Sequence, residues 1–122
     1  MKKLFSFLLA ATSLVGCQSN TEFKSVDAQQ FAEVIANKDV QLVDARTPEE
    51  YSEGHIPGAV NIDVKSLDFD TQIATLNPDR PVAVYCRSGR RSKLAAERMT
   101  NAGLQVTELS EGILSWKGEV VK

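Results

Sequence analysis

The sequence has few of the residues that most often carry catalysis or cross-linking. Its 122 residues include one histidine and two cysteines. A chain of this length has room for one domain but not for two. The two cysteines, Cys17 and Cys86, allow at most one disulfide. The single histidine, His55, is the one candidate partner for a cysteine nucleophile of the hydrolase type, which needs a histidine beside it.

Neither sign of charge is in excess, since 14 basic residues face 16 acidic ones. This balance gives no reason to expect nucleic acid or an anionic membrane surface as the main partner. Hydrophobic residues make up 43% of the chain and charged residues 25%, a composition typical of a folded globular domain and too apolar for a disordered one. Internal repeats and low-complexity segments are absent.

The apolar stretch at residues 4–14 is too short to cross a membrane, which takes about 20 apolar residues. It follows the basic residues Lys2 and Lys3 and ends in small residues, which is the layout of a secretory signal peptide. We therefore predict that residues 1–16 are a signal peptide. Their removal takes away two basic residues and leaves the rest of the chain more acidic.

The tetrad Leu14-Val15-Gly16-Cys17 resembles the bacterial lipobox, in which cleavage before the cysteine is coupled to its lipidation. Several acyl chains on Cys17 would anchor the protein to a membrane, and the polar residues that follow would act as a tether, so that residues 17–22 form a lipidated cysteine and tether. The resemblance implies a lipid-anchored protein of the cell envelope that faces the periplasm. Gln18, and not an acidic residue, follows Cys17. This resembles the sorting pattern for the outer membrane in enteric bacteria and favours that membrane.

Downstream of the tether, apolar runs alternate with amphipathic segments. This order predicts one α/β domain with a central, mostly parallel sheet flanked by helices on both faces. Thr47, Pro48 and Glu50 form the pattern of a helix start with a capping box. Strands are predicted at 40–44, 59–62, 81–85 and 105–109, helices at 27–36, 66–76 and 91–102, a short helix from Thr47 to Gly54, and a turn or helix at 112–117.

Sites in open parallel sheets lie outside the carboxyl ends of the strands. Asp44, Arg46 and Cys86 follow predicted strands and so belong to that edge. For Asp44 and Arg46 we consider two roles, an ion pair of the scaffold and a lining of the pocket. His55 precedes its strand, so we expect it near the opposite edge, where it fixes a turn and cannot assist Cys86.

Cys86 opens a glycine-containing loop between an apolar strand and a helix. Backbone N–H groups in such a loop form a cradle for negative charge, and thiols at helix N-termini have pKa values below about 8.5. A lower pKa also lowers nucleophilicity, so we expect the cradle to act mainly by binding an anionic substrate and stabilising charge at the sulfur. We assign Arg87, Arg90 and Arg91 to the site, and Lys93 and Arg98 to a solvated helix face.

Three ordered motifs resemble the signature of the rhodanese family, and together they span nearly all of residues 23–118. They are LVDARTPEEY at 42–51 with GHIPGA at 54–59, CRSGRRS at 86–92, and GILSW at 112–116. Two positions depart from the usual pattern. Glu111 stands where many members have the first of two glycines, and Ala45 where valine is common.

The resemblance implies a single rhodanese-like α/β domain over residues 23–122 and a catalytic role for Cys86. Cys86 would attack the outer sulfur of thiosulfate or a related small anionic donor, release sulfite and become a persulfide. Cyanide in the test tube, or a thiol in the cell, would then take the sulfur. The resemblance implies that no cofactor is needed, and nothing in the sequence requires a metal or more than a monomer. The implied substrate-binding residues are Arg87, Ser88, Gly89, Arg90, Arg91 and Ser92.

Three other functions are weighed against sulfur transfer. A phosphatase or arsenate reductase of related fold would need a longer loop, with its arginine at the position of Ser92. A thiol–disulfide oxidoreductase would need a second cysteine, which a lipidated Cys17 does not supply. A persulfide carrier or binding module without efficient turnover remains the main alternative, and turnover measurements distinguish it from an enzyme.

Overall fold

The computed structural model describes residues 22–122. The predicted signal peptide and Cys17 lie outside the described residues. The described chain contains five strands and four α-helices, followed by a short 3-10 helix at Ile113–Ser115. The strands are β1 (Lys24–Val26), β2 (Gln41–Asp44), β3 (Val60–Asn61), β4 (Val82–Tyr85) and β5 (Val106–Leu109). The helices are α1 (Ala28–Ile35), α2 (Pro48–Glu53), α3 (Phe69–Ile73) and α4 (Arg90–Asn101).

The strands form one sheet in the order β1-β5-β4-β2-β3, and every neighbouring pair is parallel. The predicted parallel sheet is therefore confirmed. β4 is the central strand, with all four of its residues buried, and it delivers Cys86 to the middle of the carboxyl-terminal edge. β1 is a short edge strand that the sequence pattern did not predict, because Lys24 and Ser25 are polar and exposed.

Side chains alternate between the two faces of the sheet, and helices cover both faces as predicted. One core, which contains Val82 and Val84 of β4, packs against Phe69 of α3 and Met99 of α4. The other core, which contains Ala83 and Tyr85, packs against Phe31 of α1 and Tyr51 of α2. Cys86 continues the alternation of Val82 and Val84, so it lies on the side of the sheet covered by α4.

Two predicted helices differ in detail from the structure. α3 covers only the middle of the predicted 66–76 segment, because the Ser66 hydroxyl accepts the Asp68 N–H in a local turn instead of capping a helix. In α4, helical spacing predicts Leu94 on the same side as Ala95 and Met99, yet Leu94 is 50% exposed. The small residues Ala95 and Ala96 face the sheet instead, which lets the helix pack closely against it.

The loop between β2 and α2 has the predicted capping box. Thr47 Oγ1 accepts the Glu50 N–H at 3.2 Å, and Glu50 Oε1 accepts the Thr47 N–H at 3.1 Å. Pro48 occupies the first turn, where its missing N–H costs nothing. Among the helices of residues 22–122, none is long and apolar enough to cross a membrane.

Candidate active site

Cys86 lies at the floor of the loop between β4 and α4. The residue is 1% exposed. The Gly89 N–H donates to Cys86 Sγ at 3.1 Å, and the Cys86 thiol lies 3.5 Å from Ser92 Oγ. Because the first N–H groups of a helix have no acceptor within it, the start of α4 provides further donors and a positive helix dipole beside the sulfur.

Two glycines allow the 3-10 helix to close over this loop. A Cβ on Gly89, at φ 104°, would lie 1.9 Å from Ser110 O, and a Cβ on Gly112, at φ 71°, would lie 2.1 Å from Arg87 O. The N–H of Ile113 then donates to Cys86 O at 2.9 Å. Gly112 makes the close approach, and Glu111 beside it is exposed.

The three loop arginines have different environments. Arg87 and Arg90 are exposed and form no ion pair with any described residue. Arg91 is half-buried and binds Glu50 of α2 through two hydrogen bonds, at 2.7 and 3.0 Å. These bonds from Arg91 lower the pKa of Glu50 to about 2 and raise the pKa of Arg91. Arg91 therefore holds the loop against α2, whereas no ion pair with a described residue neutralises the charges of Arg87 and Arg90.

Lys93 and Arg98 lie on a partly exposed face of α4, as the sequence suggested, but both also bind neighbouring elements. Lys93 Nζ binds Ser110 O at 2.9 Å and Gly89 O at 3.1 Å, so it holds the loop in place. Arg98 binds Asp70 at 2.8 Å and lies over the Phe69 ring. Both side chains are tied to the fold because polar groups of neighbouring elements lie within their reach.

Asp44 and Arg46 are brought to each other and not to the cysteine loop. They lie on the face of the sheet that carries Leu42, whereas Cys86 lies on the other face. Arg46 Nη2 donates to Asp44 at 2.7 Å and to Gly54 O at 2.6 Å. Burial alone would lower the pKa of Arg46, but the bonds and charge of Asp44 outweigh it and raise that pKa. This geometry is that of a scaffold ion pair, not of a pocket lining.

The side chain and the backbone of His55 both make contacts in the turn before β3. Its ring stacks on Tyr51 at 3.7 Å, its Nδ1 contacts Tyr51 O, and its backbone pairs with Val121. The expectation of a position at the opposite edge of the sheet is wrong, because the neighbouring Gly54 and Ile56 bond the side chains of Arg46 and Tyr85 at the carboxyl-terminal end. These contacts lie on the face away from Cys86.

Glu108 is a charged residue of the site that sequence reasoning missed. It is 0% exposed and accepts the Ser92 hydroxyl at 2.6 Å. The alternation of the strand could have indicated that Glu108 is buried, because Val106 and Glu108 share a strand face and Val106 belongs to the core under α4. An acidic residue on such a face needs a buried partner. Within residues 22–122, no three histidine, cysteine or acidic side chains are grouped to hold a metal ion.

Comparison with protein families gives a match over most of the chain. Residues 27–119 match the family model described as "Rhodanese-like domain". Among solved structures, a rhodanese-related protein from Thermoplasma volcanium superposes with a TM-score of 0.72 at 30% identity, covering 81% of this chain and 98% of that one.

The curated relatives include proteins of similar length and longer ones. Thiosulfate sulfurtransferase GlpE of Stutzerimonas stutzeri (strain A1501) is 35% identical over 99 residues, which cover 80% of this chain and 87% of the relative. HTH-type transcriptional regulator Rv0324 of Mycobacterium tuberculosis (strain ATCC 25618 / H37Rv) is 38% identical over 97 residues, 75% of this chain. The match spans only 42% of that relative's length.

Proposed function

The chain belongs to the family of rhodanese-like domains, and we propose on that premise that it is a sulfurtransferase acting through a persulfide on Cys86. Its donor is thiosulfate or a related small anion, and its acceptor is a thiol, or cyanide in the test tube. One observation carries the proposal: Cys86 Sγ is buried at the start of α4, accepts the Gly89 N–H at 3.1 Å, and sits in a loop with two exposed arginines.

The chemistry requires only groups that this chain supplies. The Cys86 thiolate attacks the outer sulfur of thiosulfate, the sulfur–sulfur bond of thiosulfate breaks, and its electron pair leaves with sulfite. The outer sulfur stays on Sγ and carries the negative charge. Backbone N–H groups of residues 87–92 are suited to stabilise that charge. The acceptor then attacks the outer sulfur, and the thiolate of Cys86 is restored.

Turnover distinguishes an enzyme from a persulfide carrier. We expect the purified protein to convert thiosulfate and cyanide into sulfite and thiocyanate over many cycles, with one sulfite released per thiocyanate. Loading of Cys86 without repeated thiocyanate formation would instead identify a carrier. A panel of donors that includes polysulfides and persulfidated thiols, compared by kcat/KM, would identify the preferred donor.

Arg87 and Arg90 are expected to concentrate anionic donors at the loop. Because neither is paired with a described residue, their field reaches over about one Debye length, near 8 Å at physiological salt. Replacing both with glutamine should raise KM for thiosulfate about tenfold at low salt, leave kcat nearly unchanged, and flatten the salt dependence of kcat/KM. Steady-state kinetics across a salt series measures all three.

A matched pair of charges provides the control for this prediction. Lys24 and Lys38 are exposed near the amino-terminal ends of β1 and β2, at the edge opposite the site. Their double glutamine variant carries the same change in net charge and should keep the KM and salt dependence of the wild type. Equal behaviour of the two double variants would mean that Arg87 and Arg90 do not steer the donor.

We also propose that the mature protein is attached to the cell envelope by lipid on Cys17, facing the periplasm, with the outer membrane as the favoured site. The support is the order of the basic start, the apolar stretch 4–14 and the lipobox-like tetrad. Cys17→Ser should move the protein out of the membrane fraction or leave it unprocessed, while Cys86→Ser should remain membrane-bound. Normal membrane retention of the Cys17→Ser variant would refute the anchor.

A further inference from the structure

A buried polar cluster lies beside Cys86, and the sulfur-transfer steps above make no use of it. At its centre is the Glu108 carboxylate of β5, which is fully buried. Oε1 accepts the Ser25 hydroxyl of β1 and lies 3.2 Å from the Lys93 ammonium of α4. Oε2 accepts the Ser92 hydroxyl at 2.6 Å. Three donors around two oxygens suit an ionised carboxylate, which only accepts hydrogen bonds.

This arrangement decides which way the Ser92 hydroxyl points. A hydroxyl has one proton to donate, and that of Ser92 is directed to Glu108 in a short bond to a charged acceptor. Only lone pairs of Ser92 Oγ are left to face Cys86 Sγ, 3.5 Å away. A lone pair in this position accepts a hydrogen bond from a thiol but repels a thiolate.

The negative charge of Glu108 also disfavours a thiolate at Cys86, as the orientation of the Ser92 hydroxyl does. Other charged groups face the same region: Arg91 and Lys93 of α4, Glu50 of α2, and Asp63 after β3. Arg91 is paired with Glu50, and the Lys93 side chain is 45% exposed, so solvent screens it. Glu108 is the fully buried member of this set, and burial strengthens its effect on a neighbouring sulfur.

We propose that Glu108 is a positioning residue that acts through Ser92 to hold the resting sulfur of Cys86 as the thiol. Its purpose rests on the proposed function. To take sulfur from thiosulfate, the thiol first releases its proton to solvent, Sγ then attacks the outer sulfur, and sulfite leaves with the electron pair of the broken bond. The carboxylate therefore limits the fraction of Cys86 that is a reactive thiolate while no donor is bound.

Glu108→Gln tests the proposal, because glutamine keeps the size and an acceptor oxygen but removes the charge. The measurement is the rate of Cys86 alkylation by iodoacetamide against pH, followed at the Cys86 peptide by mass spectrometry in the full chain without a sulfur donor. We expect the midpoint of the pH profile to fall by about one pH unit, which is roughly tenfold faster alkylation below the midpoint. An unchanged or raised midpoint overturns the proposal.

Two further variants keep the test decisive if Glu108→Gln folds poorly. Ser92→Ala removes the hydroxyl through which Glu108 acts and should lower the midpoint, whereas an unchanged or higher midpoint would overturn the proposal. Lys93→Met removes the cation that offsets Glu108 and should raise the midpoint. A merely loosened loop would shift the Lys93 and Glu108 variants in the same direction, a result that also overturns the proposal.

The alkylation profile does not depend on sulfur transfer, so the two proposals can fail separately. A lower midpoint in Glu108→Gln, together with a wild-type protein that acquires no sulfur, would refute the proposed function and leave the role of Glu108 toward the thiol standing. Persulfide formation without the shift in midpoint would leave sulfur transfer standing and refute the role of Glu108.

Discussion

Replacing Cys86 with serine is expected to lower thiocyanate formation from thiosulfate and cyanide by at least about a thousandfold, because the nucleophile of the proposed reaction is lost. A serine hydroxyl stays protonated at neutral pH and does not form a persulfide. The fold should persist, since serine is slightly smaller than cysteine and can accept the Gly89 N–H and contact Ser92. Far-UV circular dichroism and the urea midpoint would verify folding.

The other cysteine provides the matched control for this prediction. Cys17→Ser makes the same chemical change outside the described domain, and the detergent-solubilised variant should retain the kcat of the wild type. Substantial turnover by Cys86→Ser, or an equal loss in both cysteine variants, would mean that Cys86 is not the sulfur-accepting residue.

The largest loss of stability is expected from Asp44→Asn, at about 3 kcal/mol of unfolding free energy. The change leaves the Arg46 guanidinium buried without its counter-charge, since the side chains of Asp44 and Arg46 are 0% and 7% exposed. The bond from Arg46 to Gly54 O also joins β2 to the turn before β3. Urea unfolding followed by circular dichroism measures the loss.

Two control variants test whether the loss of stability in Asp44→Asn comes from leaving a buried charge unpaired. Asp39→Asn breaks the exposed Asp39–Arg80 pair and should cost less than about 0.5 kcal/mol. Adding Arg46→Met to Asp44→Asn removes the uncompensated charge and should recover part of the loss.

Because the pair lies away from the cysteine loop, KM for thiosulfate should stay unchanged in folded Asp44→Asn. A raised KM with wild-type stability would instead support a pocket-lining role.

Several features of the fold could be predicted from the sequence because local chemistry determines them. The capping box of α2 depends on Thr47 and Glu50, three residues apart. The burial of β4 follows from an unbroken apolar run, and the position of Cys86 follows from the rule that sites gather at the carboxyl ends of parallel strands. The position of the cysteine loop therefore follows from the sequence alone.

Other features depend on contacts between distant residues. β1 forms because β5 offers it a parallel edge, as Val26 pairs with Leu109, and its own residues contain no apolar pattern. The surroundings of Glu108 combine Ser25, 83 residues away, with Ser92, 16 residues away. No local periodicity indicates such a cluster. The separate roles of Arg87, Arg90 and Arg91 likewise follow from which of them Glu50 reaches.

The most direct test of sulfur transfer is the intact mass of the protein after brief exposure to thiosulfate. We expect a gain of about 32 Da, one sulfur atom, located on the Cys86 peptide and removed by cyanide. Cys86→Ser treated in the same way should gain nothing. A wild-type protein that acquires no sulfur under these conditions, or a Cys86→Ser variant that acquires as much as the wild type, would mean that Cys86 does not accept sulfur from thiosulfate.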